Sequence, residues 1–354
     1  MQLNLSIGTD QEIEKIHEAS LRVLSEVGVC FHCEEAVEIF RKHGAKVENE
    51  IVYIDKKMVD NALKELPPRF KWHDVNGETV TIGDKVVRNL PAYGPIYVYK
   101  EGKYEKSSHE HLTNFHKLSE TSPIMDASNP NVIDVSYIPG KERERYRLGV
   151  ALKYCQKPLM GLVEGREVAE YSLETMRRFY GLDKLSNQVI AVGLIDTMGP
   201  MRISTAMCEA LIAYAKNNQA VIICSGQTLG MTAPQSIAGV YMMGNSMILA
   251  TIVLSQLVNP GTPVVYSGKM NSDDMRLSSA SAYGGIEGML TSATTRRMAD
   301  YYKIPLHTGN SNTDSKLIDY QSGAETFMNL FNAYMHRSEC FVHSCGIMDS
   351  FNSI

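Results

Sequence analysis

From about residue 89 onward, short apolar runs alternate with helical stretches at a spacing of about 30 to 45 residues, and this alternation constrains the fold more than any other feature. The runs read as strands are "YGPIYVY", "NVIDVSYI", "PLMGLVE", "QVIAVGLID", "AVIICSG", "TPVVYSG", "PLHTG" and "CFVHSCG". Seven helical stretches lie between them, from "HEHLTNFHKLSE" to "AETFMNLFNAYMHRS". Strands this apolar are buried on both faces, as in parallel sheets. Eight βα units predict a TIM (β/α)8 barrel over 89–354, with an open doubly wound sheet as the alternative. The final "GIMDSFNSI" is too short for an eighth helix, so the chain is expected to be truncated at its C-terminus.

Residues 1–88 have a different texture. "DQEIEKIHEASLRVLSEVG", "CEEAVEIFRKHG" and "DKKMVDNALKEL" show helical spacing, with the strand "IVYID" among them and Pro67-Pro68 at the close. They predict a small α+β cap subdomain without a catalytic constellation. Cys30 and Cys33 form a C-x-x-C pair there, but no second ligand pair lies nearby, so no metal is expected. Seven scattered cysteines suit a reducing compartment, and the N-terminus lacks the basic-then-apolar pattern of a secretory signal, so a cytoplasmic location is expected. A formal net charge of −5 and the lack of a basic stripe argue against nucleic acid.

No charged residue occurs between Lys216 and Lys269. The gap contains "SIAGVYMMGNSMILATIVLSQLV", long enough to span a bilayer but interrupted by Asn245, Ser246, Ser255 and Gln256 and followed by a Pro-Gly turn. A helix buried on every side is the better reading, and a homo-oligomer interface through residues near 234–258 is the expected cover. No membrane span is expected.

In a TIM barrel, chemistry sits where the strands end. Those ends carry Asp134 and Tyr137; Glu164; Asp196 and Thr197, with Arg202 following; Ser225 and Gln227; Ser267, Lys269, Asn271, Asp273 and Asp274; and His343, Ser344 and Cys345. Between the seventh strand and its helix, "TGNSNTDSKLIDYQSGAE" gathers Asn310, Asn312, Asp314 and Asp319, more polarity than a connector needs. Capping of the following helices is the plain role for Asp196, Ser225 and Ser267. His343 and Cys345 share strand parity, which keeps a zinc site open as an alternative, although no third ligand is evident. Tyrosines 97, 137, 266, 283 and 320 fall at or near the rim, and aromatic faces beside carboxylates hold quaternary ammonium ions as well as packing.

"EKIHEASLRVLSEVGV", "VYIDKKMVDNAL", "YGGIEG" and above all "TDSKLIDYQSGAET" resemble the trimethylamine:corrinoid methyltransferase family, with a likeness running over essentially the whole chain. The resemblance implies a TIM barrel with a small N-terminal region. With only standard residues, the sequence resembles the branch without pyrrolysine, whose members act on quaternary amines such as glycine betaine, proline betaine, carnitine or butyrobetaine. It implies methyl transfer to the Co(I) corrinoid of a cognate partner protein, with no tightly bound cofactor and no metal in this chain. It makes Tyr97, Tyr266 and Tyr283 candidates for an ammonium cage, with Asp196 or Glu164 adding charge. Lys269, Arg202 or His343 would hold a substrate carboxylate, and Asn310, Asn312, Asp314 and Gln321 would meet corrin or substrate. A zinc-dependent methyltransferase acting on a thiol and a non-catalytic betaine-binding barrel are the competing expectations.

Overall fold

In the computed structural model, which describes residues 7–197, 199–268, 270–274, 276, 280–349 and 352–354, helix α1 (Asp10–Arg22) begins where the sequence supplies a cap. Thr9 Oγ1 accepts from the Glu12 amide at 3.3 Å, and the Glu12 carboxylate accepts from the Thr9 amide at 2.7 Å. The helix continues through a wider turn at Val23–Val27 and stops at Gly28, whose φ of 78° suits glycine. Strand β1 (Val29–Phe31), helix α2 (Glu34–Lys42), strands β2 (Lys46–Glu48) and β3 (Ile51–Tyr53) and helix α3 (Lys56–Glu65) follow. β3 pairs antiparallel with both β1 and β2. The hairpin of β4 (Phe70–His73) and β5 (Thr79–Ile82) comes next.

A second hairpin, β6 (Tyr97–Lys100) and β7 (Lys103–Lys106), precedes helices α4 (His109–Thr121) and α5 (Gly140–Tyr154). Strand β8 (Leu159–Met160), helix α6 (Arg166–Phe179), strands β9 (Ala191–Asp196) and β10 (Arg202–Ile203), helix α7 (Thr205–Lys216), strand β11 (Ala220–Cys224), helix α8 (Ile237–Val258) and strand β12 (Val264–Ser267) continue the chain. The short pair β13 (Asp273–Asp274) and β14 (Ala280–Ser281), then helices α9 (Ile286–Tyr302) and α10 (Tyr320–Met335), complete it.

The fold is mixed α/β, and its centre is a parallel sheet in the order β12-β11-β9-β8. Short backbone links, one or two hydrogen bonds each, extend this sheet on both sides. Met160 N–H donates to Ser128 O at 2.9 Å, and Asp126 N–H to Asn89 O at 2.9 Å. On the other side His307 N–H donates to Tyr266 O at 2.9 Å, Glu339 N–H to Leu306 O at 2.8 Å and Phe341 N–H to Arg88 O at 2.8 Å. Alternation divides the sheet's two faces. Val192, Ile222 and Val265 pack with Phe70, Trp72 and Ile82 of the β4–β5 hairpin, whereas Val221, Ile223, Val264 and Tyr266 pack with the helices.

Two expected strands are displaced. Parallel pairing falls on Asn89 and Ser128, ahead of "YGPIYVY" and "NVIDVSYI". The paired residues are one or two long and follow no apolar run, so periodicity had nothing to register. Asp134 and Tyr137 therefore do not end a strand. The expected caps also differ: Ser204 and Ser236 cap α7 and α8, and Gly285 precedes α9, rather than Asp196, Ser225 and Ser267.

Helix α8 is buried as its composition demands, but the cover comes from this chain: α1, α2, α3 and α7 all pack on it. Packing within the chain thus accounts for the apolar composition of most of α8, because sequence reveals that a helix is buried and not by which element. Its polar residues are satisfied internally. Asn245 Nδ2 donates to Ser20 Oγ at 2.9 Å and to Tyr302 Oη at 2.8 Å, and its Oδ1 accepts from Tyr266 Oη at 3.0 Å. α8 is long and apolar enough to cross a bilayer, with a mean hydropathy of 1.8, yet 72% of that window is buried against the chain itself. Residues 346–349 run beside the 308–315 loop, where Thr313 N–H donates to Ile347 O at 2.8 Å.

Candidate functional site

The polar stretch between residues 308 and 325 is a bracket. Asp319 spends its carboxylate on the α10 N-terminus, accepting from Ser322 N–H at 2.9 Å, and Ser322 Oγ accepts from Asp319 N–H at 3.0 Å. Those contacts hold the Asp319 carboxyl below its ordinary range. Asn310 Oδ1 accepts from Asn312 N–H at 2.9 Å. Asp314 reaches across to the loop before α9, accepting from Tyr283 N–H at 3.1 Å and Gly284 N–H at 2.8 Å. Glu325 on α10 holds Asp314 in turn, accepting from its amide at 2.8 Å and from Thr313 Oγ1 at 2.7 Å. Asn329 Nδ2 closes the bracket with bonds to Asn312 O at 2.8 Å and Tyr283 O at 3.0 Å.

What the bracket positions is Tyr283. This residue lines a narrow recess of about 20 Å³ with Met270, Asn271, His307, Thr308 and Asn310. Burial raises the Tyr283 phenol above its ordinary range, and the negative charges of Asp273 and Asp196 add to that rise. The ring therefore stays neutral within the electrostatic reach of two carboxylates, a combination that favours an organic cation. Ser267 Oγ and His307 Nδ1 are hydrogen-bonded at 2.7 Å on the same wall. Asn312 is fully buried, and neither its side-chain oxygen nor its nitrogen has a hydrogen-bond partner among the described residues. Such an amide is unusual unless a ligand or water completes it.

A second polar cluster surrounds Tyr93. Its amide donates to His343 Nδ1 at 3.2 Å, and its hydroxyl accepts from Asn131 Nδ2 at 2.5 Å. Arg147 on α5 donates to Asn131 Oδ1 and lies 3.4 Å from Glu144. Burial, reinforced by the charge of Glu164, pushes the Glu144 carboxyl up to about 7. His343 connects this cluster to the bracket, because its carbonyl accepts from Ser311 N–H at 2.9 Å and Ser311 Oγ at 2.7 Å.

The structure thus puts Tyr283 at a recess anchored through Asp314, within the electrostatic reach of Asp196, and puts His343 beside Tyr93 with the charge of Glu164 acting on that cluster. Other expected site residues fall elsewhere. Tyr266 points to the helix layer, fully buried against Tyr302 and bonded to Asn245, because residue 266 shares the parity of Val264. Tyr97 belongs to the β6–β7 hairpin and packs edge-on against Tyr104. Arg202 is exposed in β10, in register with Cys30 of β1. Gln321 is exposed on α10 and donates to Glu325 at 2.9 Å. Lys269 lies outside the described residues. Among the described residues, three potential metal ligands gather at Cys30, His32 and Glu50, rather than around His343 and Cys345.

Sequence reasoning missed Tyr93, Asn131, Glu144, Arg147, His307 and Glu325. Glu144 and Arg147 sit in "ERERYRLGVALKYCQ", which reads as a solvated charged helix face. Only the buried side of α5 distinguishes them, and no local signal encodes that. His307, within the apolar run "PLHTG", was the one accessible clue.

Residues 3–352 match the family model for trimethylamine methyltransferase (MTTB). Glycine betaine methyltransferase of Desulfitobacterium hafniense (strain Y51) is 36% identical over 349 residues, 98% of this chain and 73% of the relative. Proline betaine:corrinoid methyltransferase of Eubacterium limosum is 32% identical over 96% of this chain and 72% of its own length. Trimethylamine methyltransferase MttB of Methanosarcina thermophila is 27% identical over 91% and 69%. Among solved structures, the Methanosarcina barkeri monomethylamine methyltransferase superposes with a TM-score of 0.61 at 13% identity, covering 97% of this chain and 71% of that one, which speaks to the fold.

Proposed function

The chain belongs to the trimethylamine methyltransferase (MTTB) family, and from that premise we propose that it moves an N-methyl group from a betaine-like quaternary amine to the Co(I) corrinoid of a partner protein, in the cytoplasm. We place this chemistry on a TIM barrel formed by the eight parallel segments of residues 89–354, with residues 1–88 as a cap subdomain.

The observation that carries the reading is the neutral Tyr283 ring at the recess, with the negative charges of Asp273 and Asp196 acting on it. A quaternary ammonium already bears the charge that lets a neutral amine depart, so the chain needs no nucleophile of its own. Its residues contribute binding, orientation and exclusion of water around an in-line displacement. Tyr283 seats the cation under the charges of Asp196 and Asp273, and Asn312 Nδ2 donates to the substrate carboxylate. Arg147, rather than the exposed Arg202, is the cation for a substrate carboxylate. Asp314 and Glu325 are positioning residues acting through the Tyr283 loop. The methyl acceptor, a Co(I) corrinoid, is delivered by the partner protein.

The test is methylation of a Co(I) corrinoid protein across a panel of quaternary amines, followed by absorbance. Transfer from glycine betaine or a related betaine is expected. Transfer from trimethylamine alone would overturn the quaternary assignment, and betaine binding without transfer to any corrinoid protein would favour a binding barrel.

A further inference from the structure

The N-terminal region carries a side-chain cluster that the methyl-transfer reading does not use. Cys30 lies in β1, His32 just beyond it, and residues two apart on an extended chain share a face. Glu50 comes to that face from the β2–β3 turn, where its carbonyl accepts from Phe31 N–H at 2.9 Å. The neighbouring backbone is pinned as well. His32 N–H donates to Ile203 O at 3.0 Å, and Thr205 Oγ1 donates to His32 O.

Cys30 Sγ lies 3.6 Å from His32 Nδ1 and 3.8 Å from Glu50 Oε2, and His32 Nδ1 lies 2.9 Å from Glu50 Oε2. Zinc–sulfur, zinc–nitrogen and zinc–oxygen bonds of about 2.3, 2.0 and 2.1 Å at tetrahedral angles put ligand atoms about 3.4 to 3.6 Å apart. The sulfur–nitrogen edge is already at that spacing, the sulfur–oxygen edge is about 0.2 Å long, and the nitrogen–oxygen edge requires a shift of about 0.5 Å by a carboxylate at the end of a flexible side chain. A His32–Glu50 ion pair alone would explain two members of the cluster. It does not explain a thiol held at coordination distance from both. The side chains of His32 and Glu50 are 39% and 57% exposed, so an ion has an open path in. Cys33 is no part of this arrangement: it is buried beside Cys208, which splits the C-x-x-C pair between two environments.

We propose that Cys30, His32 and Glu50 bind one divalent cation of the zinc type, through thiolate sulfur, imidazole nitrogen and carboxylate oxygen, with the fourth vertex facing water. Binding releases the thiol proton to solvent. The ion staples the β2–β3 turn to β1, next to the pairing of β1 with β10.

The test is titration of the reduced, chelator-treated full chain with Co²⁺. Saturation at one equivalent is expected, with thiolate-to-cobalt charge-transfer absorption, intense four-coordinate d–d bands, and displacement by Zn²⁺. Cys30→Ser should abolish the charge-transfer band. His32→Ala and Glu50→Gln should weaken binding by roughly tenfold or more. Zn²⁺ should raise the thermal midpoint of the parent chain but not of Cys30→Ser, and without metal all variants should unfold near the parent midpoint. No saturation at one equivalent, or a band that survives Cys30→Ser and vanishes in Cys33→Ser, would overturn the proposal.

Discussion

Replacing Asp314 with alanine removes the carboxylate that accepts from Tyr283 N–H at 3.1 Å and Gly284 N–H at 2.8 Å. Hydrogen bonds to a charged acceptor contribute about 1.5 kcal/mol each, net of water. The residue is half-buried, so water partly replaces the lost partner, and the pair comes to about 2 kcal/mol. That energy falls on a short loop between β14 and α9, which should open locally while the sheet stays intact. Protection of the Tyr283 and Gly284 amides against hydrogen exchange should then fall roughly thirtyfold. Loosening the aromatic seat should appear mainly as a raised KM for the amine, with a smaller change in kcat. Asp314→Asn keeps one acceptor and should fall between parent and alanine variant. Unchanged exchange at both amides in Asp314→Ala, or a lost kcat with unchanged KM and exchange, would refute the positioning argument and put Asp314 at the reacting atoms.

Glu144 has its carboxyl raised from 4.5 to about 7 by burial and by Glu164, so the folded state binds its proton more tightly than the unfolded chain does. Its stabilising contribution is complete below pH 4.5 and is lost as pH rises to about 7; Glu144→Gln should therefore gain on the parent over that window, by on the order of 1 to 2 kcal/mol, in urea unfolding at several pH values. Asn245→Leu should destabilise the chain by about 1 to 3 kcal/mol in the same assay, because it takes the hydrogen-bond partner from the buried Tyr266 hydroxyl and one donor each from Ser20 and Tyr302. A Cβ at Gly284 would collide with the Glu325 carboxylate, so Gly284→Ala should cost about 1 to 2 kcal/mol alone and distinctly less in a Glu325→Ala background. Additivity in that cycle would show that the two residues do not meet.

Much of this protein was legible in order along the chain. Apolar runs such as "QVIAVGLID" and "AVIICSG" declared β9 and β11 by themselves, because strands buried on both faces must be hydrophobic throughout. The uncharged stretch declared a buried α8, and "TDSKLIDYQSGAET" carried the family. Asn89 and Ser128 were illegible as strand positions because pairing one or two residues long leaves no periodic trace.

The candidate site was legible by type and not by role. Asp314 and Asn312 stand in one polar stretch, yet one holds a backbone loop while the other carries a buried side-chain amide without a hydrogen-bond partner among the described residues. Parity within β12 turns Tyr266 to the helices, whereas the bracket holds Tyr283 at the recess. Cys30, His32 and Glu50 look unrelated in a linear reading until β1 and β3 pair. Local composition and periodicity determine which segments are buried and in what regular form. Which side chain meets which depends on packing between segments far apart in the chain, and that was decided only by the tertiary structure.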